Sequence, residues 1–127
     1  MQRGTVLVVE DYEAARLAIV AVLTTKGYVV HTAGDGAGAL DFLRRDPSCG
    51  IVILDWRLPG MDGGKVLAAM RADPKLVNVP VILVTANRVT RESALAAGAT
   101  DYFPKPFAPD ALLAAVARHL RSGEITR

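Results

Sequence analysis

Five residues of this chain could do chemistry together, and each lies at or just beyond the end of a short hydrophobic stretch. Glu10 and Asp11 follow residues 6–9, Asp55 ends residues 51–55, Thr85 ends residues 79–85, and Lys105 follows residues 101–103. Alone, each has an ordinary use: an Asp caps a turn or a helix, a Thr opens a loop, and a Lys is solvated. Together they suggest something else. Three neighbouring carboxylates repel one another unless a positive charge sits among them. A hard divalent cation with oxygen ligands meets that need, and Mg²⁺ is typically held by one or two carboxylates with water and phosphate oxygens. Adding an ammonium from Lys105 and a hydroxyl from Thr85 completes the parts for forming an aspartyl phosphate, in which positioning and charge neutralisation do most of the work.

These residues share a site only if the elements behind them line up. Short β-branched runs bounded by Gly and Pro read as strands at residues 5–9, 28–33, 51–55, 79–85 and 101–103. Pro80 is tolerated at the start of the fourth. Helices are expected at residues 12–26, 36–45, 64–72, 89–97 and from Pro109 to about Leu120. Ala14, Leu17, Ala18 and Ala21 recur at helical spacing and mark the first helix, which Gly27 stops. Strict alternation of strand and helix predicts a parallel sheet covered on both faces. We expect an α/β fold, a flavodoxin-like doubly wound five-stranded sheet in the order 2-1-3-4-5 with five helices. The switch point then lies between strands one and three, where such sheets bind ligands. Glu10, Asp11 and Asp55 meet there.

Composition narrows the class. The chain has 127 residues, a length for one domain, with residues 5–121 as its core and a polar tail at 122–127. It is 51% hydrophobic and 22% charged, as expected of a water-soluble domain. A net charge of +2 gives no reason to expect direct nucleic-acid binding. Cys49 is the single cysteine, which excludes an internal disulfide and suits a reducing compartment. The longest wholly apolar run, residues 17–23, cannot span a bilayer. A cytoplasmic protein with no membrane contact is expected.

Four motifs in order then resemble the receiver domain of two-component response regulators, over nearly the whole chain. They are Val9-Glu10-Asp11; Asp55 followed by Leu58-Pro59-Gly60-Met61-Asp62-Gly63; Thr85-Ala86; and Asp101-Tyr102 followed by Lys105-Pro106-Phe107. The resemblance implies a stand-alone, single-domain switch, not an enzyme acting on other molecules. Asp55 would accept a phosphoryl group from a histidine kinase or phosphotransfer protein. Asp11, Asp55 and the Arg57 backbone carbonyl would hold Mg²⁺, and Glu10 would act through water. Thr85 and Lys105 would bind phosphoryl oxygens, and the Lys105–Pro106 bond would be cis. Tyr102 would be an aromatic switch residue or simply a packed edge-strand aromatic. Arg57 and Asn87 would flank the phosphoryl group and tune its lifetime. Output would pass to a downstream protein through the face of helix four, strand five and helix five, where Arg88, Arg91, Arg118 and Arg121 stand among alanines.

Other readings compete. A haloacid-dehalogenase-like phosphatase also uses an Asp nucleophile and Mg²⁺, but that family wants a second Asp where Arg57 stands. The chain could also be a receiver fragment of a larger regulator or hybrid kinase. Gly34-x-Gly36-x-x-Ala39 loosely matches a dinucleotide fingerprint, yet it follows strand two, away from the switch point. His31 and His119 have no metal-binding neighbours in sequence and read as ordinary structural residues.

Overall fold

The computed structural model describes residues 4–86 and 89–121. Asn87, Arg88 and the tail at 122–127 lie outside the described residues. The chain alternates β1 (Thr5–Val9), α1 (Glu13–Thr24), β2 (Val29–Ala33), α2 (Gly36–Arg45), β3 (Ile51–Asp55), α3 (Gly63–Ala72), β4 (Val81–Thr85), α4 (Arg91–Ala96), β5 (Asp101–Pro104) and α5 (Pro109–His119). All strand pairs are parallel, in the order β2-β1-β3-β4-β5. The expected flavodoxin-like architecture is therefore the observed one.

Side chains alternate across a strand, so an unbroken apolar run serves two cores at once. Leu7, Val9, Val52, Leu54, Val81 and Leu83 face the helices α2, α3 and α4. Val6, Val8, Ile51, Ile53, Ile82 and Val84 face α1 and α5. β2 has no fully buried residue, as suits an edge strand. Gly36 is required where α2 meets α3, because a Cβ there would lie 2.7 Å from Val66 Cγ2. Asp35 caps α2 by accepting from the Gly38 N–H at 2.7 Å. A tight turn into α2 thus accounts for the glycines that mimic a dinucleotide fingerprint.

The spacing that marks the first helix does not mark its inner face. Ala14, Leu17, Ala18 and Ala21 are all exposed, and α1 buries Ile19 and Leu23 instead. The run at 17–23 is apolar all round, so periodicity could not choose its inner face. Several expectations need correction. β4 begins at Val81: Pro80 has no N–H, and the Val79 N–H turns back to the Leu76 carbonyl at 3.0 Å. α4 is shorter than expected because Thr90 caps it, its side chain accepting from the Ser93 N–H at 3.0 Å. His119 is not isolated. It meets Asp101, as described below.

Candidate functional site

The sheet register sets the site. Leu54 pairs with Val9 and Asp55 with Val84, so the chain leaves β1, β3 and β4 along one carboxyl-terminal rim. Glu10, Asp11 and Asp55 converge there, each offering a carboxylate oxygen within 4.8 Å of the others. Glu10 and Asp55 are buried at 2% and 6% exposure, whereas Asp11 is exposed. Two charges this deep require partners.

Lys105 supplies the main one. Its Nζ donates to Glu10 Oε1 at 2.6 Å and to Asp55 Oδ2 at 3.2 Å. The Lys105 N–H donates to the Thr85 carbonyl at 2.9 Å, anchoring the segment beyond β5 to the end of β4. The Lys105–Pro106 bond is cis. Burial alone would lower the Lys105 ammonium, but the bond to Glu10 and the nearby carboxylate charges outweigh it and hold its pKa above the ordinary value. Burial pushes the Glu10 carboxyl up, with help from the Asp55 charge and against the bonds from Lys105 and the Tyr12 N–H. One ammonium is thus shared by an acidic cluster that retains surplus negative charge.

Backbone contacts hold the carboxylates in place. The Tyr12 N–H donates to Glu10 Oε2 at 3.2 Å, and Arg16 Nη1 donates to the Glu10 carbonyl at 2.9 Å. The Arg57 N–H donates to Asp55 Oδ1 at 3.3 Å. The loop after Asp55 folds tightly onto α3, with the Gly63 N–H donating to the Trp56 carbonyl at 2.7 Å. A Cβ at Gly63 would sit 2.5 Å from the Asp55 carbonyl oxygen, so only glycine fits. Neither Tyr12, which acts through its backbone N–H, nor Arg16, whose guanidinium meets a backbone carbonyl, was legible as a site residue, because neither contact leaves a motif in the sequence.

A cavity of about 310 Å³ opens over the group, lined by Glu10, Asp11, Tyr12, Asp55, Arg57, Thr85, Ala86 and Lys105. The donor set is entirely hard oxygen, which fits a small divalent cation and not a soft metal. Thr85 is buried at 1% exposure at the end of β4. Of the residues singled out in the sequence, Glu10, Asp11, Asp55, Arg57, Thr85 and Lys105 meet in this cavity. Asn87 lies outside the described residues. Tyr102 is not in the cavity. It is buried at 8% exposure in the core on the α4 side of the sheet, with Ala94 and Ala99 in the same cluster, as a packed aromatic would be.

One buried carboxylate, Asp101, entered the sequence reading only as part of the fourth motif, with no role of its own. Asp101, at the start of β5, accepts from Arg91 Nη1 and from the Tyr102 N–H through Oδ1, at 3.2 and 2.8 Å. Its Oδ2 takes Arg118 Nη2 at 3.2 Å and lies 3.1 Å from His119 Nε2. Burial would raise the Asp101 carboxyl, but the bonds from the Tyr102 N–H, His119, Arg118 and Arg91 outweigh it and hold its pKa below the ordinary value. Arg121 does not join this group. It donates to the Cys49 and Pro47 carbonyls at the far end of the sheet, so it does not belong to the expected output face.

Comparison with known proteins agrees with this geometry. Residues 6–117 match the family described as the response regulator receiver domain. Response regulator PleD of Caulobacter vibrioides is 42% identical over 118 residues, covering 91% of this chain and 25% of that protein. DNA-binding response regulator MtrA of Mycolicibacterium smegmatis is 37% identical, covering 96% of this chain and 53% of that protein. The chain thus spans between a quarter and about half of these relatives. Among solved structures, the receiver domain of sensor histidine kinase PA1611 from Pseudomonas aeruginosa superposes with a TM-score of 0.84 at 34% identity, over 91% of this chain and 96% of that one. That structure holds a magnesium ion coordinated in its active-site cleft. The carboxylate rim, the shared lysine and the match over residues 6–117 lead to one conclusion: this chain belongs to the response regulator receiver domain family.

Proposed function

We propose that the protein is a phosphorylation-dependent signalling switch in which Asp55 is the phosphoacceptor. The observation that carries this reading is Asp55 itself. It is a buried carboxylate at the switch point, open to a cavity, with Lys105 Nζ 3.2 Å away and two further carboxylates beside it. An Asp55 carboxylate oxygen attacks phosphorus, the P–N bond of a phosphohistidine donor breaks, and an acyl phosphate forms. Mg²⁺, held by Asp11, Asp55 and the Arg57 carbonyl with Glu10 acting through water, would neutralise charge on the phosphoryl oxygens. Lys105 leaves its carboxylate partners in part to meet the incoming oxygens, and the Thr85 hydroxyl donates to another. Arg57 lines the cavity and sets how readily water reaches the group, and Asn87, two positions after Thr85 in the sequence, is assigned the same tuning role. In this relay Tyr102, on the neighbouring strand β5, responds when Thr85 moves toward the phosphoryl oxygens.

In this reading the chain acts as one receiver module and catalyses only its own phosphorylation and dephosphorylation. Its donor is a histidine kinase or phosphotransfer protein in the cytoplasm, and its output goes to a protein bound at the face of α4, β5 and α5. Incubation with a small phosphodonor and Mg²⁺, followed by mass spectrometry, tests the reading. A mass gain of one phosphate is expected in the wild type and none in Asp55→Asn. An undiminished gain in that variant overturns the assignment.

A further inference from the structure

Among the described residues, the most heavily partnered charge outside the site is Asp101, and its partners come from both helical layers. Arg91 reaches it from α4, on one face of the sheet, and Arg118 and His119 reach it from α5, on the other. Both carboxylate oxygens have two partners, and the side chain is only 10% exposed. Arg91 is held a second time, because its Nη2 donates to the Tyr102 carbonyl at 3.2 Å. The outer edge of the sheet is thereby closed by ion pairs joining α4, β5 and α5.

We propose that Asp101 is a positioning residue. It latches the first turn of α4 in the resting arrangement and so opposes the rearrangement that accompanies phosphoryl binding at Asp55. Arg91 stands six positions after Thr85, at the far end of the loop that leaves the site. Thr85 also pairs in register with Pro104, and its carbonyl accepts from the Lys105 N–H at 2.9 Å, so movement of Thr85 toward phosphoryl oxygens pulls on β5, to which Arg91 is tied. Two bonds of Arg91, to Asp101 and to the Tyr102 carbonyl, resist the pull. A ligand shifts such an equilibrium only by its differential affinity for the two states, and a latch lowers the fraction competent to bind. Releasing the latch raises apparent affinity without touching the site. This inference rests on reading Asp55 as the phosphoacceptor and Thr85 as the start of the relay.

The test is titration of the whole protein with fluoroberyllate, an acyl-phosphate mimic, in the presence of Mg²⁺, followed by the fluorescence of Trp56 beside Asp55. Asp101→Asn and Arg91→Met should each bind the mimic at least threefold more tightly than wild type. The double variant should gain no more than the larger single, because both remove one latch. Arg91 is 57% exposed at its side chain, so Arg91→Met keeps the test decisive even where Asp101→Asn fails to fold. A merely structural clasp, once lost, would leave affinity unchanged or lower it, and that result in Arg91→Met overturns the latch alone. A wild-type protein that binds no mimic overturns the phosphoacceptor reading, and the latch with it.

Discussion

Two buried carboxylates, Asp55 and Asp101, stand at the same sheet with opposite surroundings. Asp55 shares one ammonium with Glu10, has Asp11 close by, and faces a cavity of about 310 Å³. Asp101 alone faces two guanidiniums and an imidazole, with all its acceptor sites engaged. Surplus negative charge beside an open space leaves a centre hungry for a cation and able to attack an electrophile. Surplus positive charge around a saturated carboxylate leaves nothing to react. The contrast teaches that burial of an acid does not mark chemistry; the balance of charge around it, and the room left over, do.

The sharpest way to break this contrast is to exchange the acids for amides. Asp55→Asn should abolish phosphoryl uptake entirely, whereas Asp101→Asn should retain it. Uptake measured by mass spectrometry that survived in the first or vanished in the folded second would end the distinction.

Metal affinity should respond next most strongly. Asp11→Asn should weaken a Mg²⁺ titration read by Trp56 fluorescence by more than Glu10→Gln does, since Asp11 is the direct ligand in our reading. Lys105→Met should act in the opposite direction and tighten Mg²⁺ binding, because it removes the cation that Glu10 and Asp55 now share. Weaker binding in Lys105→Met would mean that the ammonium organises the carboxylates more than it competes for them.

Gly63→Ala should be smaller in effect and purely steric. The added Cβ would press on the Asp55 carbonyl oxygen and the Trp56 backbone. A loss of about 1–3 kcal/mol is expected for such overpacking, readable by denaturant unfolding. Stability equal to wild type would show that the loop after Asp55 gives way freely.

The weakest effect concerns pH. The native Asp101 carboxyl is held below its ordinary value of 3.8, so the unfolded state binds the proton more readily. The stability it contributes is present above that value and is lost as pH falls through the native one. The stability that wild type holds over Asp101→Asn through this shift should therefore be lost as pH falls below about pH 4. A stability gap between the two that widened in acid would contradict the ion-pair account.

Much of the fold was legible because its signals are local. The apolar runs at β1, β3 and β4, each ended by an acid or a hydroxyl, mark strands and rim together. Asp35, Asp62 and Thr90 cap helices by bonds spanning three residues, a local signal that went unread, which is why α4 was expected to start at 89, before its cap. The site was legible for the same reason, since parallel strands that end in reactive residues must deliver them to one rim. The inner face of α1 was not legible, because a helix apolar all round carries no directional signal. Nor was the clasp, whose members Arg91, Asp101, Arg118 and His119 read separately as surface charge, a strand start and helix ends.

The order of elements, the parallel sheet and the meeting of Glu10, Asp11 and Asp55 followed from the amino-acid sequence itself. Periodicity and turn chemistry act within a few residues and leave few ways to connect the pieces. Which acid would keep an ammonium and which would be saturated with guanidiniums was decided only by the tertiary structure. Lys105 reaches Glu10 across 95 positions and Asp55 across 50, while Arg118 and His119 reach Asp101 from α5. Such pairings depend on how helices pack at the edges of the sheet, where long side chains have several partners within reach and local pattern does not choose among them.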